Sequence, residues 1–137
     1  MAAMPDHIPT VKRRARAIEK IFRCYRGDAA MVTDLVRSSI TCKTFEALVE
    51  CLEVIRSDPH TQILQIKNRF DRKYDSYESA GYRNISLSLI IVDEMTMAYG
   101  LDTHICELQL GLGVFEKLKH ELKGHRRYVK FRDAKGQ

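Results

Sequence analysis

Gly81-Tyr82-Arg83-Asn84-Ile85-Ser86-Leu87-Ser88-Leu89-Ile90-Ile91-Val92 is the stretch on which the fold turns. From Tyr82 onward its residues alternate with period two, the spacing of a strand with one dry and one wet face. Leu87, Leu89 and Ile91 share one side, and Tyr82, Asn84, Ser86 and Ser88 share the other. Residues 82–92 therefore read as a strand. A connection over 93–102, read as hairpin-like, leads to a second alternating run at 103–110. There Ile105, Glu107 and Gln109 lie on one face, with Cys106, Leu108 and Leu110 on the other. Two strands this close in the chain are expected to pair antiparallel.

Toward the N-terminus, Ile63 to Lys67 reads as another strand. Residues 68–80 between the two strands are polar, carry Tyr74, Tyr77 and three basic residues, and read as a mobile loop; loops this long without structure of their own are usually functional or disordered. Phe45, Leu48, Val49, Leu52 and Ile55 recur at helical spacing, with Thr44 as the expected N-cap and Ser57-Asp58-Pro59 as the stop. The β-branched run 32–41 predicts a further strand. Val11, Ala15, Ile18, Phe22 and Tyr25 predict an amphipathic helix over 10–26, opened by Pro9 and closed by Gly27-Asp28. Leu112, Phe115, Leu118 and Leu122 predict a last helix ending near Gly124. The order α-β-α-β-β-β-α implies an α+β fold: a mixed sheet of four to five strands flanked by helices, with the helix after the first strand permitting a parallel crossover.

The 137 residues suit a single domain, with its core over about 10–123 and a basic tail at 125–137. Lys and Arg total 23 against 18 Asp and Glu, a net +5 that favours anionic partners such as nucleotides, phosphates or nucleic acid without choosing among them. Lys119, Lys123, Arg126, Arg127, Lys130 and Arg132 form a candidate tail patch. Cys24, Cys42, Cys51 and Cys106 show no zinc-type spacing, so reduced thiols in an intracellular, cytoplasmic setting are expected. No secretory signal is visible in residues 1–8, and no apolar run reaches the roughly 20 residues of a membrane span.

Candidate chemistry gathers on the polar faces. Asp34 opens the first strand and Glu107 sits mid-strand beside Gln109. Two carboxylates on neighbouring strands suit a hard cation such as Mg²⁺, which binds through one or two carboxylates plus substrate phosphates; a turn residue and a solvated strand residue are the plainer alternatives. Tyr82 offers a ring to a nucleobase, with Asn84 and Ser86 on the same face as hydrogen-bonding groups. Lys12, Arg16 and Lys20 recur along one face of the first helix, and Lys67, Arg69, Arg72 and Lys73 flank the loop. Neither a P-loop nor a dinucleotide fingerprint is present.

Three blocks in this order resemble the synthetase domain of the RelA/SpoT family: Asp34-Leu35-Val36-Arg37-Ser38-Ser39-Ile40, Gly81-Tyr82-Arg83-Asn84-Ile85-Ser86-Leu87 and Cys106-Glu107-Leu108-Gln109-Leu110. The resemblance implies a nucleotidyltransferase-like fold and Mg²⁺-dependent transfer of pyrophosphate from ATP to the 3′-hydroxyl of GTP or GDP, making (p)ppGpp. It implies that Asp34 and Glu107 bind the metal, Glu107 alternatively acting as base. Tyr82 would stack on the acceptor guanine, Lys12 and Lys20 would face the donor phosphates, and Lys67 and Lys73 would lie on the acceptor side. The chain departs from the family pattern at Ser86 (usually His), Asn84 (Ser), Arg37 (Gly) and Ser39 (Arg), and its loop before Gly81 is longer. Related small proteins use adenine nucleotides or modify the tRNA 3′ end, and a catalytically degenerate module binding a nucleotide or an RNA end is the alternative.

Overall fold

The computed structural model describes residues 10–121, Lys130, Asp133 and Ala134. Five strands form one sheet: β1 (Thr10–Val11), β2 (Val36–Cys42), β3 (Thr61–Asn68), β4 (Ile85–Ile91) and β5 (Cys106–Leu112). Over residues 10–121 four α-helices accompany them: α1 (Arg14–Tyr25), α2 (Phe45–Ser57), the short α3 (Glu94–Ala98) and α4 (Gly113–Glu121). The spatial order is β1-β2-β5-β4-β3. β2 pairs parallel with β5, and every other pair is antiparallel. The expected mixed sheet and α+β class are as read.

Strand alternation sorts the two faces. Cys42, Ile85, Leu87, Leu89, Leu110 and Leu112 are buried together with Leu48 of α2; Leu52, Ile55, Phe70 and Phe115 pack around them. Leu87 and Leu110 are wholly buried, each contributing roughly 2 kcal/mol of apolar transfer. Thr44 caps α2 as expected, its Oγ1 accepting from the Ala47 N–H at 3.2 Å. The opposite face is polar and in register: Arg37, Glu107, Ser88 and Gln65 form one row, and Ser39, Gln109, Ser86 and Lys67 the next.

Four local expectations are corrected. The first helix begins at Arg14, because Thr10 and Val11 pair with Arg37 and Val36 as a sheet edge. Its apolar stripe does not face inward: Ala17 is buried while Phe22 is 71% exposed. Lys20, three residues beyond Ala17, reaches Asp34 and turns that side of the helix toward β2. Residues 68–80, read as a loose loop, carry structure of their own. Phe70 makes edge contacts with Phe45 and Phe115, and a 3₁₀ turn, Ser76–Ser79, is capped by Asp75. Arg83 Nη1 donates to the carbonyls of Arg69 and Asp71, and both arginines lie about 6 Å from the Tyr74 ring. Residues 93–102 contain α3, opened by an Asp93–Thr96 capping box. The parallel crossover through α2 exists, but the two strands it links are not neighbours. β2 and β3 run in the same direction with β5 and β4 between them.

Candidate functional site

Asp34 lies two residues before β2 rather than on it. Its Oδ2 accepts from Lys12 Nζ at 2.5 Å and from Lys20 Nζ at 3.0 Å. The link between β1 and α1 delivers the first lysine, because the Lys12 N–H donates to the Leu35 carbonyl at 2.7 Å. α1 delivers the second. Burial alone would raise the Asp34 pKa, but the two ammonium groups outweigh it and hold the carboxyl below its ordinary value. Burial would likewise lower Lys20, and Asp34 reverses that, leaving it raised. Asp34 Oδ1 is buried with no hydrogen-bond partner.

Glu107 is held differently. Its Oε1 accepts from Ser86 Oγ at 2.7 Å and from Gln109 Nε2 at 3.0 Å. Gln109 Oε1 in turn accepts from Asn84 Nδ2 at 3.4 Å, and Asn84 Oδ1 accepts from Arg69 Nη1 at 2.8 Å. Asn84 and Ser86 are buried. These bonds follow the strand register, which sets Ser86 opposite Gln109 and Ser88 opposite Glu107.

Tyr82 stands beside the Glu107 chain, next to Asn84 and Arg69. Its hydroxyl donates to Glu116 Oε1 of α4 at 2.5 Å. Lys119 Nζ sits 5.1 Å from its ring centroid and 3.6 Å from Glu116 Oε2. Burial first, and then the Glu116 carboxylate, push the phenol well above its usual range, so it remains a neutral donor. Gly111 lies against this arrangement: a Cβ there would make ordinary contact, 3.4 Å from Glu116 Oε1 and 3.8 Å from the Tyr82 hydroxyl.

Of the expected site residues, Lys12 and Lys20 converge on Asp34, Ser86 and Gln109 converge on Glu107, and Asn84 joins them through Gln109. The two carboxylates belong to separate hydrogen-bonded groups, and Tyr82 adjoins that of Glu107, with Asn84 and Arg69 beside its hydroxyl. Lys67 stands beside Ser86 in the polar row. Lys73 is off the sheet, in a turn where its N–H donates to Asp71 Oδ1. Arg69, read only as one of the cations flanking the loop, bonds Asn84 instead, and Glu116 was missed as a site residue. Glu116 reads in sequence as an acidic first-turn residue of a helix, and nothing local signals its reach to Tyr82. In the tail patch, Lys123, Arg126, Arg127 and Arg132 lie outside the described residues.

No group of three or more His, Cys, Asp or Glu is gathered for a metal among the described residues. Asp34 Oδ1 without a hydrogen-bond partner, and both bonds to Glu107 falling on Oε1, leave each carboxylate an oxygen of the kind that binds a hard cation. No helix among the described residues is long and apolar enough to cross a membrane.

No family model matches the sequence, and no curated protein does. Solved structures do match in shape. Small alarmone synthetase 2 from Bacillus subtilis superposes with a TM-score of 0.68 at 16% identity, over 94% of this chain and 65% of its own. The chain has the fold of a small alarmone synthetase. Small alarmone synthetase 1 from the same organism, bound to its product pppGpp, gives 0.64 at 17% identity. A GTP pyrophosphokinase family protein from Streptococcus pneumoniae gives 0.65 at 18% identity. Each of these two matches covers 93% of this chain and 68% of the neighbour. The chain thus spans about two thirds of the length of these small alarmone synthetases. On this shared fold the polar face of the central strands carries Glu107, Gln109 and Ser86, with Asn84, just before β4, bonded to Gln109.

Proposed function

We propose that this chain binds nucleotides on the polar face of its sheet and transfers pyrophosphate from ATP to the 3′-hydroxyl of a guanine nucleotide, GTP or GDP. The observation that carries the reading is the pairing of a small alarmone synthetase fold with two carboxylates that each keep an oxygen outside their hydrogen bonds. The acceptor hydroxyl would attack the β-phosphorus of ATP. The bond from that phosphorus to the α–β bridging oxygen breaks, AMP leaves, and the hydroxyl proton passes to Glu107. Lys12 and Lys20 bring positive charge toward the donor phosphates, and Lys67 toward the acceptor; Lys73 is assigned to the acceptor side on the resemblance alone. Tyr82 offers its ring to the guanine. Catalysis of this kind rests on positioning and charge neutralisation. Mg²⁺, held by Asp34 and Glu107 with the phosphates, would supply Lewis-acid charge to the transferring group.

A second reading has its own observation. Two ammonium groups already share Asp34 Oδ2, a positive locus that suits holding a polyphosphate, or the phosphate backbone of a tRNA 3′ end, without turnover. Incubating the purified chain with Mg²⁺, ATP and GTP, GDP, an adenine nucleotide or tRNA, followed by anion-exchange chromatography, separates the readings. Transfer yields a pyrophosphorylated acceptor with the wild type and at least about a hundredfold less with Asp34→Asn or Glu107→Gln. Binding without product, weakened by Tyr82→Ala, selects the second reading.

A further inference from the structure

Arg69 touches neither carboxylate, yet it stands at the head of a directed chain of hydrogen bonds that ends on Glu107. A guanidinium can only donate. Facing Arg69 Nη1, Asn84 must therefore present its oxygen, which leaves its Nδ2 to donate to Gln109 Oε1. Gln109 must then turn its Nε2 toward Glu107. Asn84 is 2% exposed, so no solvent compensates a flipped amide, which would leave two donors facing each other at a cost of about 1–3 kcal/mol.

We propose that Arg69 is a positioning residue that sets the direction of both amides and so fixes Glu107 by its Oε1, leaving Oε2 for the reacting partner. Arg69 is itself anchored. Its N–H donates to the Asn84 carbonyl at 2.9 Å, its own carbonyl accepts from Arg83 Nη1 at 2.6 Å, and its guanidinium lies 6.0 Å from the Tyr74 ring. The segment after β3 therefore has a role in the site: it delivers a fixed donor to a buried amide. The functional part of this proposal rests on the reading of Glu107 given above; the hydrogen-bond direction does not.

The test follows the Gln109 side-chain amide by ¹⁵N–¹H NMR in the full chain. Arg69→Met should shift the Gln109 Nε2H₂ pair and speed its exchange with water several-fold, while Arg69→Lys, still donor-only, restores most of the wild-type signal. In an Asn84→Leu background, Arg69→Met should change the Gln109 signal no further, because the intervening amide is gone. In turnover, Arg69→Met should lower kcat about tenfold with KM for ATP little changed, the scale of lost support for a ligating or basic carboxylate. An unchanged Gln109 signal in folded Arg69→Met overturns the proposal, as does an equal change in the Asn84→Leu background. Should Arg69→Met fail to fold, Asn84→Ala must perturb Gln109 in the same way, and an unperturbed signal there is equally fatal. A wild-type chain that binds nucleotide without product defeats the transferase reading alone, and the amide signals still decide the relay.

Discussion

Asp34 and Glu107 are the same chemistry held by opposite means. Two ammonium groups neutralise Asp34 at the margin of the sheet. Neutral hydroxyl and amide donors orient Glu107 in its middle. The first arrangement depends on charge and therefore on pH; the second depends on the shape of a hydrogen-bond chain and on which way each amide faces. Removing a charge from the first leaves like charges crowded together, whereas removing the charge from the second leaves the geometry in place.

The largest stability effect expected from this contrast is at the clamp. Asp34→Ala leaves Lys12 and Lys20 facing each other half-buried and should cost about 2–3 kcal/mol in urea unfolding. Its pH dependence has a definite sign. The folded-state pKa of Asp34 is lowered, so its contribution is full above the ordinary carboxylate value and is lost as pH falls through the folded one. That of Lys20 is raised, so its contribution is full below 10.5 and is lost as pH rises past that. The stability gap between wild type and Asp34→Asn should therefore be flat from about pH 5 to 9 and close in acid below about pH 4. A gap that does not narrow at all as pH falls below the ordinary carboxylate range would show that the clamp is not electrostatic.

Tyr82→Phe comes next. It keeps the ring and removes the donor to Glu116, with an expected loss of about 1–2 kcal/mol in thermal unfolding. Smallest is Glu107→Gln. A carbonyl oxygen still accepts from Ser86 and Gln109, so stability should change by less than about 1 kcal/mol even though turnover is lost. Equal destabilisation by Glu107→Gln and Asp34→Ala would erase the distinction between the two sites.

The alternation in β4 and β5 was legible because period-two patterning acts locally: each residue's face follows from its parity, and Cys106, Leu108, Leu110, Leu87 and Leu89 all lie where parity puts them. The convergence of Ser86 and Gln109 on Glu107, with Asn84 joined through Gln109, followed from the same parity. What stayed hidden depends on partners distant in sequence. Residues 68–80 look loose because their order comes from Phe70 meeting Phe45 and Phe115, and from Arg83 folding back on Arg69. The apolar stripe of α1 misled because an ion pair rather than apolar burial decides which side turns inward. The α3 helix did carry a local signal, an Asp three residues before a Thr, in a segment too short for periodicity to show.

The strand order has a consequence for how the chain is made. β5, the last of the described strands in chain order, lies between β2 and β4, two strands made long before it. As the chain leaves the ribosome, β3 and β4 can join as a hairpin-like pair while β2 has only the two-residue β1 beside it. The sheet closes only when residues 106–112 arrive to fill the gap, so a product stopped short of Cys106 holds both edges of that gap open. Such long-range closure is slow and leaves unpaired strand edges open to other chains in the interval.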